Sequence, residues 1–549
     1  MNRVRINPAD QLEQRELKLV SERQSPIEHD VRRGGDSEPK ALEVIERFGV
    51  MRDSLLNYAG LAVSGAVNFM LVPLMLVGLG TQSYGIWAVA LSVAGWAASV
   101  LDFGLFWSIA RQAAELSNGR SQTDKGTFIR AGGAAYLMTG LIGGFIIAVL
   151  GVPLTTGMAL SPGEERISVI VFALSGLGFA AAQLYTYCNS IFYGLRRFDL
   201  SSAISAAKAF FWGAGALFLL RFRADLAALA AWQLVAFLVA ALVAYVLVVK
   251  MDPEFRFGLH SFNWATVRNH LAFSMGSECL TFIVALLWNT PAILIGMLLG
   301  ASKVTPFHIG CKGPMAISWL SWNAAEVLFP AASAYTGQPH TRRRDLLEFG
   351  IRWNLVLILP WCVVLWTLAP QLLQLWLGKV DTETISITRL MTIAIFADSI
   401  AVPSLHVLWA AGITINLLGT LAATAIIEVF LMAVLLPRVG LAGAAWAAIA
   451  AFCFQAMTLV RLAAGGSALN AMSMLIAVVR NLVVPGLACV TIALLFMKLL
   501  QPREMVSLAI AVGAIALTYY GVVLFCGPRE ERNELWKRLR ESVAFACGC

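Results

Sequence analysis

The sequence predicts an all-α polytopic membrane protein with about fourteen transmembrane helices. Of its 549 residues, 58% are hydrophobic and only 13% are charged, and the mean hydropathy is +0.73. A water-soluble domain cannot cover its surface with so few charged residues. The apolar runs are about 20 residues long or longer and do not alternate with polar positions, so they indicate helices rather than the strands of a membrane barrel.

Each predicted span is an apolar run long enough to cross a hydrocarbon core about 30 Å thick. An even number of spans places both ends of the chain on one side of the membrane. The predicted spans are 54–79, 85–113, 128–150, 167–194, 200–222, 226–249, 271–300, 304–335, 352–377, 385–411, 413–436, 440–463, 480–500 and 505–526.

Both ends of the chain are predicted to be cytoplasmic tails. Residues 1–50 are rich in Arg, Glu, Asp and Ser and contain no apolar run, which is typical of a disordered segment. Residues 527–549 form a second charged tail. With this orientation the inner loops collect roughly twice as many Lys and Arg residues as the outer loops, as the positive-inside rule requires.

An internal repeat divides the predicted spans into two halves. VGLGTQSYGIW (77–87) corresponds to MLLGASKVTPFHI (297–309), and LDFGLFWSIA (101–110) corresponds to AEVLFPAASA (325–334). A repeat in the same sense is typical of transporters built from parallel halves around a central cavity. The organisation predicted from it is a first lobe in 51–250, a second lobe in 251–465, and two additional spans in 466–526.

These motifs resemble a known family. The stretch LVGLGTQSYGIWAVALSVAGWAASVLDFGLFWSIARQAAE, with its Tyr84-Gly85 pair and its Asp102-Phe103-Gly104-Leu105 ending, resembles the O-antigen flippase branch of the multidrug/oligosaccharidyl-lipid/polysaccharide superfamily. LAPQLLQLWLG, LHVLWAAG and LLPRVGLAGAAWA resemble later signatures of that family, and the likeness covers roughly residues 51–465.

The resemblance implies a fold and a function. The fold is a MATE-like bilobed bundle of two six-helix repeats. The function is translocation of a polyprenyl-pyrophosphate-linked oligosaccharide or polysaccharide precursor across the bacterial inner membrane. A polysaccharide polymerase or a glycosyltransferase would be the protein partner. The long polar N-terminus and the two additional spans depart from many members of the family, and since fourteen spans also occur in lipid II flippases, the substrate class stays open.

Polar residues form a stripe along the eighth predicted span. His308, Lys312, Met315, Trp319, Asn323 and Glu326 recur at helical spacing. A charged side chain near the middle of the bilayer costs about 2.5–3.5 kcal/mol, so the stripe should face protein or water. We therefore predict a polar cleft that binds the substrate through Lys312, Lys208, Asn323 and Trp319.

Carboxylates inside the spans are candidates for binding a proton or Na⁺, or for gating. Those residues are Glu428, Glu278, Asp398, Asp102 and Glu326. Depth along the helices places Lys208 with Glu278 and Asp398, and Lys312 with Glu428. The alternative interpretation is that these are buried ion pairs that fix helix packing.

Three functions are compatible with these observations: a lipid-linked oligosaccharide flippase, a cation-coupled drug antiporter of the same superfamily, and a membrane glycosyltransferase or ligase. A drug antiporter would be expected to have an acidic cavity, whereas Lys208 and Lys312 favour the flippase. An enzyme of this kind would be expected to carry its site on long outer loops, and the predicted outer loops are short, so no enzymatic activity is expected. The sequence contains no GxxxxGK[ST] loop and no HExxH motif, so it indicates neither nucleotide hydrolysis nor zinc chemistry. No cofactor, metal or nucleic acid is expected, and the partners are the lipid-linked substrate, H⁺ or Na⁺, and membrane lipids.

Overall fold

The computed structural model describes residues 38–117, 124–252, 255, 264–334, 340–465, 468–499 and 504–526. The chain divides into two compact units, Met1–Tyr58 and Ala59–Cys549, and every contact given below lies within the second. Of the predicted N-terminal tail, residues 1–37 lie outside the described part, and Glu38 begins a helix. The predicted C-terminal tail, 527–549, lies outside the described part as well.

All regular secondary structure in the described residues is helical, as predicted. The first eight helices are α1 (Glu38–Leu101), α2 (Leu105–Ser117), α3 (Asp124–Gly157), α4 (Pro162–Gly194), α5 (Phe198–Arg221), α6 (Leu226–Met251), α7 (Trp264–Leu299) and α8 (Ala301–Gly310). The remaining eight are α9 (Lys312–Glu326), α10 (Leu328–Ala334), α11 (His340–Leu377), α12 (Thr382–Ala410), α13 (Thr414–Val439), α14 (Ala442–Ala463), α15 (Ala468–Leu499) and α16 (Met505–Cys526).

The chain is a multi-pass membrane protein, but the structure does not confirm fourteen spans. In the described part, eleven helices are long and apolar enough to cross a membrane, or up to twelve if the bent pair Ala471–Arg480 and Leu482–Lys498 in α15 forms one span. Two features account for the lower number. The first two predicted spans are the two segments of α1 on either side of Gly80, which together count as one helix here, and the eighth predicted span is divided among α8, α9 and α10.

Glycine produces the break inside α1. Gly80 has φ 79° and ψ 172°, a backbone conformation that L side chains rarely adopt, and it lies between the first two predicted spans. The second of these spans, predicted to continue to residue 113, ends at Leu101 instead. Phe103 and Gly104 both have positive φ there, and α2 begins at Leu105.

Proline divides the eighth predicted span. Pro314 and Pro330 have no amide hydrogen, so neither can donate to the carbonyl four residues earlier, which belongs to Gly310 and Glu326 respectively. The helix is interrupted just after each of these carbonyls, between α8 and α9 and between α9 and α10. The polar stripe predicted for one continuous helix is therefore distributed over α8 and α9, two helices separated by an interruption at Cys311.

Most helices pack against neighbours in the same part of the chain, and α7 also packs against α2 and α3. In the first part of the chain α4 packs against α2, α3 and α6, and α5 packs against α6. In the second part α12 packs against α9, α11 and α14, and α13 packs against α7 and α14. The last two helices, α15 and α16, pack against each other and against α11.

A proline and a tryptophan join α1 to α11. Pro73 cannot donate to the carbonyl of Phe69, and the indole Nε1–H of Trp376 donates to it instead, at 3.3 Å. The two rings also stack, with centroids 4.1 Å apart and planes 6° from parallel. Pro73 thus frees a backbone acceptor that a helix from the second half of the chain uses.

Gly85 allows a second close approach, between α1 and α8. A Cβ added at Gly85 would lie 1.8 Å from the carbonyl oxygen of Ala301, whereas one added at Gly65, also in α1, would have nothing within 4 Å. Gly85 is therefore the point at which these two backbones touch.

We expect Gly85→Ala to lower the free energy of unfolding by about 1–3 kcal/mol, because the methyl group must push α1 and α8 apart. The matched control Gly65→Ala should raise it by about 0.5–1 kcal/mol, since alanine has the higher helix propensity. Thermal unfolding of the purified variants in detergent measures both effects. Equal melting temperatures for the two variants would contradict the contact.

Candidate functional site

A cavity of about 440 Å³ lies among α1, α5, α6, α8 and α9. We call it the large cavity. Both parts of α1, before and after Gly80, contribute to its wall, through Asn68 and Trp87 among others. The first half of the chain provides most of the wall, and α8 and α9 contribute His308 and Lys312.

Two lysines line the large cavity. Lys208 lies in the middle of α5, and Lys312 is the first residue of α9. Neither makes an ion pair with any side chain in the described part of the chain. The Lys208 Nζ lies 4.9 Å from the ring centroid of Tyr185 and 4.8 Å from that of Phe237, so two aromatic faces take the place of a carboxylate.

Aromatic and hydroxyl groups complete the wall. The Tyr84 hydroxyl lies 3.0 Å from Nδ1 of His308, which joins α1 to α8 across the cavity. Trp87 and Trp212 stack with centroids 5.6 Å apart and planes 7° from parallel. Further polar side chains in the wall are Ser64, Asn68, Ser205 and Gln233.

The balance of charge in the large cavity is positive. Two ammonium groups line it, and none of the lining residues among those described is Asp or Glu. In a site shielded from bulk water a positive charge attracts anions more strongly than it does at the protein surface. The cavity therefore suits an anionic group accompanied by hydroxyl-bearing chemistry, and it disfavours a cationic ligand.

The predicted carboxylates Asp398 and Glu428 lie elsewhere, on α12 and α13. Asp398 is 4% exposed, and its Oδ1 accepts a hydrogen bond of 2.9 Å from Nε2 of Gln455 on α14. Among the described residues, the Asp398 Oδ2 and the Gln455 Oε1 make no hydrogen bond of good geometry, although the side chains of Trp322 and Ser318 lie close enough to interact with the Asp398 carboxyl. Glu428, 3% exposed, is close enough to interact electrostatically with Asp398.

The ion pairs predicted as the packing alternative do not form as expected. Lys312 is not paired with Glu428, nor Lys208 with Asp398, so depth along the helices did not identify partners. The prediction that Glu278 pairs with Lys208 lies outside the described side chains. Two residues at the same depth in the membrane can point in different directions from their helices, so equal depth alone does not bring their side chains together.

The other predicted residues lie outside the large cavity. Asp102 follows the end of α1, and its Oδ1 accepts a hydrogen bond of 2.7 Å from the hydroxyl of Tyr136 on α3. Glu326 is exposed at the end of α9. Trp319 is 56% exposed, and Asn323 donates through Nδ2 to the Trp319 carbonyl, at 2.7 Å.

Several site residues have no counterpart in the sequence-based predictions. Tyr84, Trp87, Gln233 and Phe237 line the large cavity, and Gln455 holds Asp398. Of these residues, only Tyr84 was singled out in the sequence, as part of the Tyr84-Gly85 pair in the family motif. Neutral amides and aromatic residues are common in membrane helices, so their presence in a span does not distinguish a cavity from packing.

Comparisons with known proteins agree with this architecture. A family model described as "Polysaccharide biosynthesis protein" matches residues 52–336, more than half of the chain. A comparison with curated protein sequences gave no significant match.

Among solved structures, the chain is similar to the lipid II flippase MurJ in its inward closed conformation, with 10% identity and a TM-score of 0.63 over 85% of this chain and 98% of that one. It is also similar to an inward-facing MATE family multidrug transporter of the MOP superfamily, with 15% identity and a TM-score of 0.60 over 77% of this chain and 99% of that one. A third similar structure is the MATE multidrug transporter DinF-BH, with 16% identity and a TM-score of 0.55 over 80% of this chain and 98% of that one. At these identities the similarity establishes the fold.

We expect the large cavity to bind inorganic pyrophosphate, because two ammonium groups line it that make no ion pair within the described part of the chain. Lys312→Ala or Lys208→Ala should each weaken binding about ten- to a hundredfold, which corresponds to the roughly 1.5–3 kcal/mol of one hydrogen bond to a charged group. Isothermal titration calorimetry in detergent measures the affinity. Lys498→Ala, at the exposed end of α15, is the matched control and should leave it unchanged. Equal affinity in all variants would place the anion outside this cavity.

Proposed function

This chain belongs to the polysaccharide biosynthesis protein family, and we propose that it is a flippase that moves a polyprenyl-pyrophosphate-linked oligosaccharide across the membrane. The observation that carries the proposal is that Lys208 and Lys312 line the same cavity, whose described wall contains no carboxylate. A membrane protein retains such charges when a ligand of opposite charge has to pass.

The physical problem of this transport is the head group. Lipid tails cannot solvate a pyrophosphate or sugar hydroxyls, and a polar group buried without hydrogen bonds costs several kcal/mol. In the large cavity the two ammonium groups replace the water around the pyrophosphate. Ser64, Asn68, Ser205 and Gln233 offer hydrogen bonds to sugar hydroxyls. Repeated exposure of the cavity to the two membrane faces would then complete the translocation.

The charge of the cavity favours this function over export of cationic drugs. A lipophilic cation entering the large cavity would meet Lys208 and Lys312 with no acidic group in the described wall to balance them. Lipid II is the second candidate substrate, because it too is a polyprenyl pyrophosphate that carries sugars. Direct comparison of the two lipids in the transport assay separates these candidates.

Asp398, Gln455 and Glu428 are proposed to bind the coupling ion, H⁺ or Na⁺. Among the described residues, Asp398 Oδ2 and Gln455 Oε1 are buried without a hydrogen bond of good geometry, although Trp322 and Ser318 lie near the Asp398 carboxyl, and a proton or a cation would satisfy these oxygens. The cluster joins α12 to α14, with Glu428 nearby on α13. Ion binding there would act on the packing of the second half of the chain, away from the substrate.

The proposal includes a location and partners. A flippase of this kind would work in the bacterial inner membrane with both termini in the cytoplasm. It would receive its substrate from glycosyltransferases and deliver it to a polymerase.

We expect liposomes that contain the wild-type protein to expose a fluorescent undecaprenyl-pyrophosphate-linked oligosaccharide in the opposite leaflet, because the cavity solvates its head group. Lys312→Ala and Lys208→Ala should slow this exposure at least about tenfold, while Lys498→Ala should not. Quenching by a membrane-impermeant reagent gives the rate. If the wild type moves lipophilic cations and not this lipid, the flippase proposal is wrong.

Asp398→Asn should remove the dependence of transport on an ion gradient, because the amide cannot take up a proton and is a weaker ligand for Na⁺. The rates with and without a gradient of H⁺ or Na⁺ should then be equal in the variant and unequal in the wild type. Glu383→Gln, which alters an exposed ion pair with Lys303, is the matched control. A variant that keeps the full gradient response would exclude Asp398 as the ion site.

A further inference from the structure

A second cavity adjoins the large one. It encloses about 160 Å³, and its wall comes from α1, α7, α8, α9, α12 and α14. We call it the small cavity. Leu91, His308 and Lys312 line both cavities, so Lys312 stands at the boundary between them.

The small cavity differs from the large one in chemistry. Apart from the shared residues, its wall is mainly apolar and contains Leu287, Phe307, Met315, Met391 and Phe452. Methionine side chains are flexible and polarizable, so they fit irregular hydrocarbon ligands well.

Its polar groups are few. Asn289 is already engaged, since its Nδ2 donates to the Ala285 carbonyl at 3.0 Å and its Oδ1 lies against Gly95. Ser92 is buried. The only described charge in this wall is therefore at the boundary with the large cavity, at Lys312.

We propose that the small cavity binds the first isoprene units of the substrate lipid while Lys312 holds the pyrophosphate. This inference rests on the proposed function and adds a binding site for the hydrocarbon part of the substrate, which the polar large cavity does not accommodate. The ligand class is a prenyl diphosphate, in which a hydrocarbon chain begins directly at the anionic group. The order of the two cavities on either side of Lys312 matches that order of chemical groups.

The arrangement favours this occupant over other ligands. A free phosphate would gain nothing from the apolar wall of the small cavity, because it has no hydrocarbon to bury. The tail of a neutral lipid would gain nothing from the ammonium group of Lys312, because it carries no negative charge. Met315, in the wall of the small cavity, is 37% exposed, and we expect the rest of the hydrocarbon chain to leave the cavity past it. Trp319, one turn beyond Met315 on α9 and also exposed, extends an apolar track along which the rest of the chain can continue.

The test compares the binding of geranyl diphosphate with that of inorganic pyrophosphate to the full-length protein in detergent. In the wild type, geranyl diphosphate should bind at least about tenfold more tightly, because burial of even a few methylene groups supplies that factor. Met315→Trp fills the small cavity and should abolish this advantage while leaving pyrophosphate affinity within about twofold. Ala292→Leu, a smaller insertion into the same wall, is the second variant in case the first does not fold.

The controls separate this inference from the proposed function. Met457→Trp makes the same substitution at an exposed position on α14 and should keep the wild-type advantage. Empty micelles correct for partition of the geranyl chain into detergent. If pyrophosphate binds but geranyl diphosphate gains nothing, or if both filling variants keep the gain, the small cavity is not the isoprene site and the proposed function stands. If neither ligand binds, the anion site itself is wrong.

Discussion

The central constraint on this molecule is the presence of two ammonium groups inside an apolar helical bundle without an acidic partner in the described chain. A charge in such a place is costly, and a structural role would call for a carboxylate beside it. The Lys208 Nζ lies 4.9 Å and 4.8 Å from the centroids of two aromatic rings instead, and Lys312 begins α9 just after the interruption between α8 and α9. Both side chains line the large cavity, where an anion can meet them.

A second consequence is the separation of opposite charges. Asp398 and Glu428 are buried in a cluster with Gln455, while the lysines line a cavity formed mainly by the first half of the chain. If the carboxylates formed ion pairs with the lysines, the opposite charges would neutralise each other, and neither group would be available for a ligand. Two separate sites permit an ion to bind in one place and the substrate in another.

The sequence predicted much of this, and its failures have physical causes. Long apolar runs identify membrane helices, and lysines inside them stand out, so Lys208 and Lys312 were found as phosphate candidates. The number of spans was not confirmed, because the two segments of α1 that meet at the break at Gly80 count as one helix and because the interruptions near Pro314 and Pro330 divide another predicted span into short helices. Trp319 and Asn323 were grouped with Lys312 on the assumption of an unbroken helix, and they lie outside the large cavity. Gln455 could not be found, because a neutral amide in a span resembles any packing residue until its partner is known.

The most direct test of the account is an experimental structure of the protein with a bound polyprenyl-pyrophosphate-linked sugar, determined in lipid nanodiscs. We predict that the pyrophosphate oxygens lie within about 4 Å, the usual limit for an ion pair, of the Nζ atoms of Lys312 and Lys208. The sugar should lie on the side of Asn68 and Gln233. Density for the pyrophosphate beside Asp398, or outside the large cavity altogether, would contradict the assignment of this cavity as the substrate site.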